Sequence, residues 1–233
     1  MRNLFVEKYI VKGKIVNLDP LSIGAGKGAL TGAIDNPIVR LNNIPYIPGS
    51  SLKGVLRTEA ERYARILGLS VCDIFKGEEL DWKKEAESKN ENYEPCVICR
   101  IFGGPTISSA IIVHNLYAKD AITESRTCVS ISRVTGAQIP GRLFDIEYVV
   151  PNTEFTSNND NRIFEIDGRI SLEDRDKDET KIILYLLNKL RMGEVVLGGR
   201  KSVGMGRVQL KIERVEKMVL ENGEVKIGEV KLF

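Results

Sequence analysis

Residues 32–57, GAIDNPIVRLNNIPYIPGSSLKGVLR, pack a strand, a Pro/Gly turn and a helix entrance into one short run, and the rest of the chain is organised around them. Ile34 to Arg40 reads as the strand, with Asp35 at its head, and Pro45-Tyr46-Ile47-Pro48-Gly49 reads as the turn. Ser50 is a natural N-cap, its hydroxyl accepting from a first-turn amide. A capping box would place Glu or Gln three residues later, yet the chain has Lys53, a cation where the helix dipole prefers an anion. That choice costs helix stability unless a phosphate sits over the free amides, with Lys53 and Arg57 one turn apart beside it. The alternative is an ordinary solvated helix face.

The helix entered here is the clearest in the sequence. Leu52, Val55, Leu56, Ala60, Tyr63, Ala64 and Leu67 share one face, and Gly68 ends it. Upstream, Tyr9 to Leu18 alternates as a strand until Asp19-Pro20, and a small-residue loop follows at Gly24-Ala25-Gly26-Lys27-Gly28. That loop is not a Walker A motif, because Gly28 stands where Ser or Thr would be needed. Downstream, strands are expected over 110–117, 142–150 and 162–172, and Ser125 to Gln138 reads as an exposed basic hairpin carrying Arg126 and Arg133. A second helix is expected over about 178–191. It is followed by a glycine-rich basic stretch, Gly198-Gly199-Arg200-Lys201-Ser202-Val203-Gly204-Met205-Gly206-Arg207, then a strand and a terminal hairpin turning at Asn222-Gly223. This order fits an α+β fold, an embellished βαββαβ core of ferredoxin-like or RRM-like type.

The chain has 233 residues, 42% of them apolar, enough for one elaborated domain with a real core. No apolar run approaches the length of a membrane helix, and Met1-Arg2-Asn3-Leu4-Phe5 has no signal-peptide core, so no membrane partner and a soluble cytoplasmic protein are expected. The net charge of +2 conceals two acidic stretches, 76–94 (net −3) and 173–181 (net −2), which leave +7 on the remainder. Part of that surplus sits in the glycine-rich stretches and the first helix, where a nucleic-acid surface would use it. Residues 76–93, rich in Glu, Lys and Asn, read as an exposed insertion. Cys96-x-x-Cys99 with Cys72 offers three thiolates for a structural Zn2+, with Cys128 or His114 as the fourth ligand; buried free thiols are the alternative.

Five features taken together are recognisable: Leu21-Ser22-Ile23-Gly24, Gly32-Ala33-Ile34-Asp35-Asn36-Pro37, Tyr46-Ile47-Pro48-Gly49-Ser50-Ser51-Leu52-Lys53-Gly54, Phe102-Gly103, and the loop from Gly198 to Arg207. On them, over about residues 10–212, the chain resembles the RAMP superfamily of CRISPR proteins. Within it, the resemblance is to the Cas-seven-like backbone subunit of type III effector complexes (Csm/Cmr type). The resemblance implies a single RAMP domain over 1–233, with a lid-type insertion at 69–104 and a thumb-like hairpin at 119–148. It implies a subunit that stacks with copies of itself along a crRNA, beside other type III effector subunits, while the hairpin displaces a base of the guide–target duplex. Guide contacts are expected from Ser22, Lys27, Ser50, Ser51, Lys53, Arg57, Arg126, Arg133, Gly199, Arg200, Lys201 and Arg207.

Cleavage of target single-stranded RNA falls, on the same resemblance, to Asp35. It would hold a divalent metal (Mg2+ or Mn2+) or position a 2′-hydroxyl for attack on the adjacent phosphate. An Asx turn in Asp35-Asn36-Pro37 is the competing reading, and makes the chain a non-catalytic crRNA-binding subunit. Two departures stand out: Ser22 where relatives often have His, and Ser132 where an acid often precedes the hairpin Arg. A stand-alone CRISPR RNA-processing endoribonuclease with a histidine base is a third reading, and the lone His114 lies far from the glycine-rich loops.

Overall fold

The computed structural model describes residues 7–26, 34–158, 160–221 and 223–232. In chain order the elements are β1 (Glu7–Asn17), β2 (Arg40–Leu41), β3 (Ile44–Ile47), α1 (Gly49–Ile66), α2 (Glu78–Ser88), α3 (Val97–Phe102), β4 (Ile111–Val113), β5 (Leu116–Tyr117), β6 (Thr123–Ile131) and β7 (Gln138–Val149). Then come β8 (Glu154–Phe155), β9 (Arg162–Asp167), α4 (Asp178–Arg191), β10 (Val195–Val196), β11 (Arg207–Glu221) and β12 (Glu224–Glu229). The main sheet runs β10-β11-β1-β9-β4 with antiparallel neighbours. Its four long-range members follow β1-α1-β4-β9-α4-β11 along the chain, which is the βαββαβ ferredoxin-like arrangement.

Alternation along β1 decides what each sheet face does. Tyr9, Val11 and Ile15 join Leu52, Leu56, Ile183 and Leu187 of the two long helices in the core. The intervening Lys8 and Lys12 point the other way and form ion pairs, Lys8 with Glu165 and Lys12 with Asp160 and Glu216. An RRM binds RNA by stacking bases on sheet-face aromatics. In this chain the corresponding β1 positions are cations already paired with carboxylates, so a nucleic-acid surface must be sought elsewhere.

The entrance to α1 differs from the sequence expectation. Helical geometry begins at Gly49, so Pro48 takes the cap position, and Ser50, inside the first turn, makes no capping bond. The first amide is served from far away: Gly49 N–H donates to Asn115 Oδ1 at 2.8 Å. Asn115 can reach it because the strand expected over 110–117 breaks into β4 and β5 around His114-Asn115. Gly49 is required by close approach, since a Cβ there would lie 2.3 Å from the Val113 carbonyl oxygen. Gly54, on the open side of the same helix, would meet nothing within 4 Å. Gly49→Ala is therefore expected to cost about 2–3 kcal/mol through overpacking. Gly54→Ala should instead stabilise the helix by about 0.5–1 kcal/mol. Chemical denaturation of the two variants checks both signs.

Three further elements depart from expectation. Ile34 to Arg40 is not a continuous strand; Asn36 and Ile38 make single bridges, and only Arg40–Leu41 forms a ladder. Residues 76–93, read as exposed, are largely so apart from the buried Glu79, while the wider lid-type span 69–104 reaches into the core. It contains α2, but Val97, Ile98, Cys99, Ile101 and Phe102 of α3 are buried in the main core. The hairpin is longer than Ser125 to Gln138, with β6 and β7 paired from Thr123–Val149 to Ile131–Gln138. Among the described residues, no helix is long and apolar enough to cross a membrane.

Candidate nucleic-acid interface and thiol cluster

Three separate stretches of chain meet beside the β6–β7 hairpin in one hydrogen-bonded layer. The glycine-rich loop docks on the segment after β1: Gly199 N–H donates to the Ser22 carbonyl at 2.8 Å and Gly206 N–H to the Pro20 carbonyl at 2.9 Å. Gly198 lies so close that a Cβ would stand 2.3 Å from the Ser22 oxygen, and its φ of +76° suits glycine. That segment bridges to the end of β7 through Leu21 and Val149, and to residues 37–39 through Ala25 N–H to the Pro37 carbonyl (3.0 Å) and Val39 N–H to the Ile23 carbonyl (2.8 Å). Residues 35–38 in turn line the free edge of β7. There the Asp35 carboxylate accepts the Asp145 amide at 2.9 Å.

Between the hairpin and the glycine-rich loop lies a groove of about 490 Å³, walled by Arg126, Phe144, Ile146 and Tyr148 on one side and Arg200 and Met205 on the other. Arg200, in left-handed backbone conformation, holds its guanidinium over the Phe144 ring at 4.9 Å from the centroid. Aromatic surface flanked by two arginines suits a nucleic-acid strand, with rings for bases and guanidinium groups for phosphates. Cys128 also lines this groove.

The expected contact residues therefore divide. Ser22, Asp35, Arg126, Gly199 and Arg200 come together around the layer and groove. Arg133 lies exposed in the hairpin turn, and Lys201 is exposed in the 3-10 turn Lys201–Val203. Arg207 forms an ion pair with Asp19 (Nε to Oδ2, 2.6 Å), which holds the Asp19 carboxyl below its usual range. Lys27 lies outside the described residues. Ser50, Ser51, Lys53 and Arg57 do not line the groove. Lys53 Nζ donates to Ser109 Oγ at 2.7 Å and to the Ile111 carbonyl at 3.2 Å. Arg57 donates to the Gly103 carbonyl (2.8 Å) and to Glu61 (3.1 Å), with its other terminal nitrogen 3.5 Å from Cys99 Sγ.

Sequence reasoning missed the groove's aromatic wall, Phe144 and Tyr148. The alternation of β7 held the signal, since Phe144, Ile146 and Tyr148 share one face with Arg126 and Cys128 of β6. It also missed Arg40 and Glu147. Glu147, with its side chain 8% exposed, accepts both terminal nitrogens of Arg40 at 2.8 and 2.5 Å and the Ile38 amide at 3.0 Å. Those donors, Arg40 first, hold the Glu147 carboxyl below its ordinary range, so the pair is ionised at neutral pH.

The second site is buried. Cys72, Cys96 and Cys99 place their sulfurs within 4.8 Å of one another, with Cys72 Sγ 3.4 Å from each of the other two. Bonding from Cys99 holds the Cys96 thiol below its usual range, while burial pushes Cys72 up. Three thiolates this close repel one another, so full ionisation calls for a cation, which is the chemistry of a metal-holding cluster. His114 and Cys128 do not join the group. His114 Nε2 is engaged with Glu165 at 2.8 Å, and Cys128 lies in the groove. What stands beside the thiols is Glu79, fully buried, with Oε2 3.4 Å from Cys99 Sγ and Oε1 bonded to Thr106. Its place on the acidic α2, which read as solvated text, hid it from sequence reasoning.

A profile of the RAMP superfamily matches residues 14–209. Among curated proteins, the chain is 28% identical to "CRISPR system Cms endoribonuclease Csm3" of Methanothermobacter thermautotrophicus, over 97% of this chain and 92% of that protein. It is 29% identical to the protein of the same name from Enterococcus italicus, over 91% and 94% of the two chains. With the one from Mycobacterium tuberculosis it shares 47% identity across 64% of this chain and 61% of the relative. With the βαββαβ core and the docked glycine-rich loop in place, the match over residues 14–209 establishes that the chain belongs to the RAMP superfamily.

Proposed function

We propose that this chain is a crRNA-binding backbone subunit of a type III CRISPR effector complex, stacking in copies along the guide and cutting target RNA at regular intervals with Asp35. The observation that carries this reading is the hydrogen-bonded layer that gathers Ser22, Asp35 and the glycine-rich loop beside a groove flanked by Arg126 and Arg200. The relatives' names, which speak of a CRISPR system and an endoribonuclease, support it.

Guide phosphates run along Arg126, Arg200 and Lys201, with Gly199 giving the backbone close approach, Arg133 reaching out from the hairpin turn and Arg207 at the loop's end. These contacts are sequence-independent, as a protein accepting any guide requires. Lys53, bonded to Ser109 and the Ile111 carbonyl, and Arg57, the cation beside Cys99, take no part in this groove. Asp35 takes the 2′-hydroxyl proton of the target nucleotide as that oxygen attacks the adjacent phosphorus and the 5′-oxygen leaves; alternatively it would hold Mg2+ or Mn2+, which would supply charge stabilisation for that phosphate. His114, bonded to Glu165, does not line the groove, which disfavours the stand-alone processing nuclease. The three thiols would hold a structural Zn2+ that ties α3 to the segment before α2, with Glu79 beside Cys99 at the edge of the site.

Electrophoresis of copurifying nucleic acid tests the binding role: the expected result is a ladder of RNAs protected in equal steps, and protein free of RNA would overturn it. Arg126→Ala and Arg200→Ala should each weaken guide binding and lower the slope of log affinity against log salt by about one. An unchanged slope would remove those residues from the interface.

A further inference from the structure

Asp35 is exposed, and among the described residues its carboxylate rests on one main-chain amide, that of Asp145. One exposed hydrogen bond holds a loop weakly, while cleavage by in-line attack needs the carboxylate placed to a fraction of an ångström. The structure supplies that placement from the neighbouring residues. Asn36 donates twice to the Asp145 carbonyl, through N–H and Nδ2 at 3.1 Å each, and its own carbonyl accepts the Glu147 amide at 3.1 Å. Two residues further on, the Glu147 carboxylate takes the Ile38 amide, and then both arms of Arg40. Arg40 also donates to Thr123 Oγ1 at 3.1 Å, at the start of β6. The segment carrying Asp35 is thus fastened to both strands at the base of the hairpin, chiefly through one nearly buried carboxylate.

We infer that Arg40 and Glu147 form a positioning clamp for Asp35, a pair that touches no RNA but fixes the catalytic carboxylate to the hairpin base so that hairpin and cleavage site move as one body. The bidentate geometry explains why the residue is Arg: a lysine point charge at position 40 would keep the attraction and lose the two-pronged orientation and the reach to Thr123. The clamp rests on the reading of Asp35 as the cleaving residue.

The test uses the assembled ribonucleoprotein and single-turnover cleavage of a complementary RNA, measured beside target affinity and thermal midpoint. Arg40→Lys and Glu147→Gln are each expected to slow cleavage about 10- to 100-fold with target affinity within about twofold of wild type. In an Asp35→Ala background Glu147→Gln should cause no further loss, because the clamp acts only through Asp35. Arg40→Lys, which preserves the charge balance, decides the matter if Glu147→Gln fails to assemble. Wild-type cleavage by Arg40→Lys and Glu147→Gln, with Asp35→Ala inactive, would overturn the clamp alone. So would a loss of rate that merely tracks a loss of target affinity. Normal cleavage by Asp35→Ala would overturn the catalytic reading and the clamp with it.

Discussion

Asp35→Ala is expected to abolish the ladder of target cleavage, lowering the rate at every position by about 10²–10⁴-fold, the range a positioned proton acceptor contributes. Guide loading, assembly and thermal midpoint should stay near wild type. The reason for that separation is geometric. The Asp35 side chain is exposed and, among the described residues, makes one bond, to the Asp145 amide, so its removal leaves no buried group unpaired there. The groove that carries Arg126 and Arg200 is lined by other residues and keeps its wall. Asp35→Asn sharpens the experiment: its amide oxygen still accepts from Asp145, so the loop stays docked while the charge is gone. If Asn restored cleavage, the residue would serve only the turn, and the chain would be a non-catalytic guide-binding subunit.

The thiol cluster carries the largest expected effect on stability. Wild-type protein should hold about one zinc per chain by elemental analysis, and Cys72→Ser or Cys99→Ser should lose it. Because Cys99 is buried on α3, loss of the ion releases a segment whose apolar residues belong to the main core. A thermal midpoint lower by roughly 10 °C is expected for either variant, or for wild type treated with a strong chelator. Glu79→Gln should retain the fold and bind zinc more weakly, whereas Cys128→Ser should leave both metal content and midpoint unchanged. A metal-free wild type that resists chelator would show three buried thiols and nothing more.

How much of this was legible in advance follows from the range of the signals. The helical period of Leu52, Leu56, Ala60 and Ala64 lies within one stretch of chain, as does that of Ile182, Ile183, Leu186 and Leu190, and both helices stand where that periodicity places them. The same holds for the order of elements, which yields the βαββαβ core, and for the CxxC pair, whose spacing places two sulfurs together with little help from the fold.

What failed to be legible depended on a partner distant in sequence. Ser50 looks like a cap until Asn115, 66 residues away, takes the first amide. Lys53 and Arg57 look like a free cationic face until Ser109, Gly103 and Cys99 arrive beneath them. Glu79 looks solvated until α3 brings Cys99 against it. The strand text of residues 34–40 became a bridged edge because Glu147, rather than a neighbouring strand, satisfies the Ile38 amide. By itself the sequence determined the two long helices, the order of the core elements, the superfamily and Asp35 as a residue of interest, since each is written in local period or contiguous motif. Only the tertiary structure decided which cations face outward and which carboxylates stand beside the thiols and behind Asp35, because burial and pairing are properties of the register between segments, and no single segment encodes that register.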